Sequence, residues 1–432
     1  MFLRSLFIRN LRSIGDLSIS FEAQDTKDKI ITRKQTLLLG QNGTGKSSLL
    51  RAIALLTAGS NSLGELLGQT DDWIRNGADI CELAAVLATK QGVERTVRLT
   101  LQRGASLREV LAQNEESIDQ LESALNHADR NYFVVGYGAS RRLNTGENAW
   151  YSQRGAYSSD RSNNVATLFR NDAELNPLTA WAIDLDYQAE TPETSLQVIR
   201  QALDDLLPGV RFHAIDKARK QLLFETAEGV VPLHLLSDGY QNMTAWIGDL
   251  LYRISTIFRD YRTPLEARGL LLIDEVDLHI HPVWQRHLLA FLRRKLPNFQ
   301  IVATTHSPLT AQQAAEGELF SLQRGPQAGQ VELVPFAGNP QKMLLHQLMM
   351  SEAFGLETDE SVVVEEAKNT YRALHDKKES HAPLTSAENR QLKQLSTELR
   401  ELPGATQYSN TLLDADQMAL LQQLKQELSR EL

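Results

Sequence analysis

Gly40-Gln41-Asn42-Gly43-Thr44-Gly45-Lys46-Ser47 is the stretch on which the reading of this chain turns. It follows Thr36–Leu39, a compact apolar run expected to be a strand. It leads into Lys46–Thr57, expected to be a helix, with Leu49, Leu50, Ile53 and Leu56 on one face. A Gly-x-x-x-x-Gly-Lys-Ser segment between a strand and a helix is the context in which such a loop cradles phosphate. Glycines let backbone amides turn inward and approach an anion closely, and the helix N-terminus adds its positive dipole end. In such a loop Lys46 reaches the β- and γ-phosphates of ATP, and Ser47 places its hydroxyl on Mg²⁺. Asn42, Gly43, Thr44, Gly45 and Ser48 complete the expected cofactor contacts.

Three further motifs lie downstream along the chain. Leu270–Ile273 is an apolar run ending in Asp274-Glu275. Ligands of open α/β sheets sit beyond the carboxyl ends of strands. Asp274 is therefore a candidate for the Mg²⁺ shell, and Glu275 for polarising the water that attacks the γ-phosphate. Thr304-Thr305-His306-Ser307 ends the next expected strand, where His306 is a candidate γ-phosphate contact. A satisfied strand-end histidine is the plain alternative. Leu236-Ser237-Asp238-Gly239-Tyr240-Gln241 precedes an expected helix, with Ser237 placed to cap it and Gly239 to let backbone approach an anion. His279 and His281 stand two apart before Pro282. Without further ligands they make a poor zinc set, and turn and dimer-contact roles are favoured.

The chain has 432 residues, 42% of them hydrophobic and 23% charged, with net charge -9. It can bury a large core and carries no global basic field toward nucleic acid or an anionic membrane. Cys81 is the single cysteine, which excludes an intrachain disulfide and fits a reducing, cytoplasmic setting. No signal-peptide pattern opens the chain, and no apolar run approaches the roughly 20 residues a membrane span needs.

The N-terminus alternates apolar and polar residues, suggesting two strands turning at Gly15-Asp16, with a charged loop over Gln24–Lys34. Ile80–Ala88 and Arg95–Gln102 read as strands, Ser106–Ala128 as one amphipathic helix, and Asn144–Asn164 as a long loop. Leu175–Leu207 reads as two helices, and Val210–Leu233 as short strands. The strand–helix–strand alternation of Leu270–Thr304 implies an α/β fold with a parallel sheet and crossover helices. The expected parts are an ATPase lobe with the phosphate loop (1–135), a loop and helical insertion (136–229), a second ATPase lobe (230–340) and a helical C-terminal region (341–432).

Together these motifs resemble the ABC-type ATPase heads of the SMC, RecF and OLD-like group. Ile8-Arg9-Asn10-Leu11-Arg12-Ser13 is similar to the N-terminal strand motif of that group, and Asn42 also matches. The resemblance implies a P-loop ABC-type head with a mixed and parallel sheet. It also implies ATP and Mg²⁺ as cofactors and a homodimer or higher homo-oligomer formed through the ATP site. Ser237 and Gly239 of one copy would then close over ATP held by another, and Arg12 would lie near the nucleotide. The third signature position, usually glycine, is Asp238 here. The position of the glutamine loop is left open; Gly136–Arg142 ends a strand in the corresponding region and resembles a tyrosine–glycine–arginine motif of bacterial AAA-type members. Leu236–Gln241, Asp274–Pro282 with Trp284-Gln285, Thr304–Pro308 and Phe354–Thr358 are similar to bacterial ATP-binding proteins of phage-defence systems. Those include Septu-type and retron-linked ATPases, usually found beside a separate nuclease or toxin. The implied function is an ATP-hydrolysing switch controlling a separate effector. The alternative is a RecF-like repair ATPase that binds DNA directly.

An intrinsic nuclease of the OLD type would need a Glu and an Asp-x-Asp on strand ends. Val362–Glu365 and Asp414-Ala415-Asp416 match that only superficially, within a short region of helical periodicity. Lys217–Lys220 and Arg293-Arg294-Lys295 are the basic clusters, with no interleaved aromatic platform for single strands.

Overall fold

The computed structural model describes residues 2–24, 30–89, 92–125, 132–141, 156–188, 199–205, 207, 209–325, 330–356, 358–380 and 383–400. The chain forms two compact units, Met1–Gly355 and Leu356–Leu432.

The first unit is organised by a six-stranded sheet. It contains β5 (Gln35–Gly40), β8 (Val134–Tyr137), β12 (Leu270–Ile273), β13 (Gln300–Thr304), β14 (Leu319–Arg324) and β15 (Val331–Pro335), in the order β15-β14-β5-β13-β12-β8. Only β15 runs antiparallel to its neighbour. The sheet is therefore mixed, with a parallel centre that carries the phosphate loop, the acidic pair and the histidine segment on adjacent strand ends. Alternation along each strand splits its side chains between two cores. Leu38, Leu270, Leu272 and Val302 face one core; Leu37, Leu39, Leu271, Ile273 and Ile301 face the other.

The first core is closed by the helix Lys46–Leu56 and by a four-stranded antiparallel sheet ordered β2-β1-β6-β7. Its strands are β1 (Phe2–Leu11), β2 (Ile14–Ser20), β6 (Ile80–Ala88) and β7 (Glu94–Gln102). The second core is closed by the helices Asp238–Ile257 and Pro282–Lys295. A three-stranded antiparallel sheet, β9 (Arg211–Asp216), β10 (Gln221–Thr226) and β11 (Gly229–Pro232), precedes the first of these helices. Deleting a buried leucine such as Leu38 from either core costs about 2–5 kcal/mol.

Several expectations change. The first hairpin turns at Arg12-Ser13 rather than Gly15-Asp16, which lie inside β2. Arg12 takes φ 50 at the turn, and its amide donates to Trp73 O at 3.0 Å. The charged stretch Gln24–Lys34 contains β4 (Ile30–Thr32), paired with β3 (Glu22–Gln24). The helix over Ser106–Ala128 is two helices, Leu107–Gln113 and Glu115–Leu125. They break at Asn114, whose side chain accepts from Thr100 N (2.7 Å) and donates to Thr100 O (2.9 Å) and Val110 O (2.7 Å). Asparagine competes for backbone groups in this way and interrupts the ladder. The loop read at Asn144–Asn164 includes a short helix, Asp160–Asn164. β14 and β15 were not anticipated.

In the second unit, Val362–Glu379 and Ser386–Arg400 are helices. Glu365 is in the first turn of a helix, not at a strand end. Asp414 and Asp416 lie outside the described residues. Among the described residues, no helix is long and apolar enough to cross a membrane.

Candidate nucleotide site

The phosphate loop leaves the carboxyl end of β5 and enters the helix Lys46–Leu56. Two glycines are dictated by geometry. Gly40 has φ 150, and a Cβ there would lie 2.6 Å from Leu322 O. Gly45 has φ 100, and its Cβ would meet Ile14 at 2.7 Å. Thr44 closes the turn by donating from Oγ1 to Gln41 O at 2.9 Å. Asn42 and Gly43 are exposed at the rim, Ser48 is buried and Ser47 half-buried.

Lys46 is only 6% exposed. Its ammonium donates to Gly40 O (2.7 Å) and Gln41 O (3.1 Å), so it folds back on its own loop. Burial lowers its pKa, while Asp274 and Glu275 oppose that shift by favouring the charged form. The structure thus brings the lysine and the acidic pair into one electrostatic neighbourhood.

Asp274 is 6% exposed, at the end of β12. Its Oδ1 accepts from Thr304 Oγ1 at 2.6 Å, and its amide donates to Tyr137 O at 2.7 Å. Glu275 has φ 48, in the left-handed region, and its amide donates to Thr304 Oγ1 at 2.7 Å. Thr304 therefore ties the acidic pair to the histidine segment, a role hidden in the sequence. His306 is exposed just beyond, while Thr305 and Ser307 are bonded inward to Asp277 and Gln285.

Arg12 lies at the β1–β2 turn, with Nε donating to Asp72 O (2.7 Å) and Cζ 5.1 Å from the Trp73 ring centroid. Burial lowers its pKa. Arg51, which sequence reading missed, also has its pKa lowered by burial and then by the charge of Arg12, with Asp274 opposing. Its place one turn past the Lys46 loop was the available signal.

Ser237 stands at the N-cap of the helix Asp238–Ile257 but makes no side-chain capping bond. The capping expected from sequence is therefore absent, and the hydroxyl is exposed, with no hydrogen-bond partner among the described residues. Gly239 packs beside Trp284 and His279 O. No hydrogen bond or ion pair among the described residues joins Ser237 or Gly239 to the phosphate loop. His281 caps the helix Pro282–Lys295, its Nδ1 accepting from Val283 N at 3.3 Å. That matches the expected turn role. The basic clusters are largely paired: Lys217 with Asp186, Arg293 with Glu318, and Arg294 and Lys295 with Asp205.

A phosphate loop leading from a parallel sheet, with an acidic pair and a histidine segment on the next strand ends, is the arrangement expected of an ABC-type ATPase head. The chain belongs to the family described as "AAA domain, putative AbiEii toxin, Type IV TA system", whose model matches residues 36–311. It is 26% identical to the Septu protein PtuA of Bacillus mycoides (strain KBAB4) over 322 residues, 74% of this chain and 40% of that protein. The chain thus spans well under half the length of that relative. It is 29% identical to the Retron Ec83 probable ATPase of Escherichia coli over 131 residues, 30% of this chain and 24% of the relative. It is 31% identical to the DNA replication and repair protein RecF of Nostoc punctiforme (strain ATCC 29133 / PCC 73102) over 118 residues, 27% of each. Among solved structures, the SMC head domain from Thermotoga maritima aligns with TM-score 0.43 and 15% identity, covering 78% of this chain and 100% of that one.

Proposed function

We propose that the chain is an ATP-binding and ATP-hydrolysing switch that dimerises around nucleotide and controls a separate effector, a nuclease or toxin, in cytoplasmic antiviral defence. The observation that carries the reading is the buried Lys46 held behind the phosphate loop within the field of Asp274 and Glu275. The donor set fits ATP with a hard divalent cation. Lys46 and the loop amides suit phosphate oxygens, and the Ser47 hydroxyl and Asp274 carboxylate suit Mg²⁺. When bound, Mg²⁺ supplies positive charge against the β- and γ-phosphate oxygens.

In this reading Glu275 accepts a proton from water as the water oxygen bonds to the γ-phosphorus and the bridging bond to ADP breaks. Products are ADP and phosphate. His306 contacts the γ-phosphate from the neighbouring strand end, and Arg12 lies toward the nucleotide. Ser237 and Gly239 act on ATP held by a second copy, which makes the working unit a homodimer or larger assembly. ATP would favour the closed form through its higher affinity for that form. The Septu and retron relatives support the defence setting.

The second reading, a repair ATPase that binds DNA directly, is favoured by the RecF relative. The ion pairing of both basic clusters weighs against it. Salt-sensitive DNA binding by the purified protein would support it.

Mixing two dead variants tests the split site. Lys46→Ala keeps an intact signature helix, and Ser237→Arg keeps an intact phosphate loop. Each alone should lack turnover, and the mixture should regain part of it. A mixture that stays inactive while both variants fold would overturn the composite site.

A further inference from the structure

The loop after β8 leaves the same carboxyl edge of the sheet as the acidic pair, because β8 and β12 are parallel neighbours with Tyr137 beside Ile273. That loop carries Arg141, to which the proposed reaction assigns no role. Arg141 is 9% exposed. Its Nη2 donates to Asp274 O at 3.1 Å and also to Glu275 O. The other face of the same turn is held by Thr304, whose Oγ1 accepts from Glu275 N at 2.7 Å. Glu275 is thus pinned on both sides in a left-handed conformation, φ 48, that glutamate rarely adopts. Such a conformation persists only where its surroundings over-determine it.

A second set of contacts runs the other way. The Arg141 guanidinium lies 5.6 Å from the ring centroid of Trp246, which is buried in the helix that begins after Ser237. Tyr137 packs against the same ring at 5.6 Å. One arginine therefore touches both the turn that aims Glu275 and the helix that presents Ser237. Among the described residues, its Nη1 is buried with no hydrogen-bond partner. A purely structural arginine is normally satisfied at both amino groups. Burial lowers the Arg141 pKa to about 10, against the opposing charges of Asp274, Asp277 and Glu275, so it stays cationic at neutral pH.

We propose that Arg141 is a positioning residue that fixes the Glu275 turn and couples its geometry to the signature helix through Trp246. Movement of that helix on dimer closure then reaches the catalytic carboxylate within the same chain. This rests on the reading of Glu275 as proton acceptor. Wild-type turnover and its loss in Glu275→Gln test that reading separately.

The experiment compares ATP turnover and Mg-ATP affinity in the full chain for Arg141→Ala, Arg141→Lys, Trp246→Phe and the double variant Arg141→Ala/Glu275→Gln. Misplacing the carboxylate should lower kcat by about 10²-fold in Arg141→Ala, with Kd for Mg-ATP unchanged. Arg141→Lys restores charge but not the planar fork and should not rescue kcat. The double variant should be no slower than Glu275→Gln alone, because residues acting through one group are not additive. Trp246→Phe should lower kcat more mildly, again without weakening binding. It also serves as the test should Arg141→Ala fail to fold. Full rescue by lysine, a further additive loss in the double variant, or unchanged kcat in Trp246→Phe would overturn the proposal.

Discussion

The phosphate loop and the start of the Asp238–Ile257 helix differ in how their polar atoms are occupied. Around the loop, the polar groups are bonded within the chain: Lys46 to Gly40 and Gln41 carbonyls, Asp274 to Thr304, and the Glu275 amide to Thr304. At the helix start the opposite holds. The Ser237 hydroxyl makes no capping bond, the first helical bond runs from Gln241 N to Ser237 O, and neighbouring Leu235 is 66% exposed. A helix N-terminus with uncommitted donors has capacity for an anion. The contrast teaches that the charged side chains around the loop are held in place by their own chain, whereas the Ser237 hydroxyl is presented outward, as the proposed site completed by a second copy would require.

The strongest way to break that contrast is at the loop. Lys46→Ala should remove ATP binding and with it all turnover, measured by fluorescent-nucleotide titration and phosphate release. Retained binding would mean that the loop is not the primary phosphate cradle. Glu275→Gln should keep binding and slow turnover by about 10²–10⁴-fold, the usual contribution of a positioned general base. It should also accumulate the ATP-dependent dimer, visible as a mass increase on size-exclusion chromatography with light scattering. Unchanged hydrolysis would remove Glu275 from the mechanism.

How much of this was legible in sequence follows from the range of each interaction. The loop, the acidic strand end and the parallel alternation were readable because they depend on residues adjacent in the chain. The Asn114 break was not, since it arises from bonds to Thr100 on β7. β14 was missed although it flanks β5 and its Leu322 carbonyl is what excludes a side chain at Gly40. Arg141 could be seen only as part of a motif, because its contacts with Glu275 and Trp246 span more than a hundred residues.

A smaller effect probes what holds the two regions in one frame. Asp249, in the Ser237-led helix, is fully buried and accepts from Tyr137 Oη (2.6 Å), Arg253 Nε (2.7 Å) and Asn176 (2.8 and 2.6 Å). Burial first, and then the Asp249 charge, raise the Tyr137 pKa well above its usual value, so the phenol remains a donor. Asp249→Ala leaves the buried cation of Arg253 uncompensated and should cost about 3–5 kcal/mol, read from the urea midpoint. A loss below the effect of an ordinary surface substitution would show that this network is not what fixes the helix to β8.

The smallest effects give the sharpest comparison, because two serines at helix starts should behave oppositely. Ser106 forms a full capping box: its Oγ accepts from Glu109 N, and the Glu109 carboxylate accepts from Ser106 N at 2.8 Å. Ser106→Ala should therefore cost about 0.5–2 kcal/mol of stability and leave turnover unchanged. Ser237 occupies the equivalent position with no such bond. Ser237→Ala should change stability by less than about 0.5 kcal/mol, as for an exposed group with no partner, yet lower turnover. If Ser237→Ala instead destabilised the chain as much as Ser106→Ala and left turnover intact, its hydroxyl would be a cap after all. The outward-facing half of the site would then lose its principal residue.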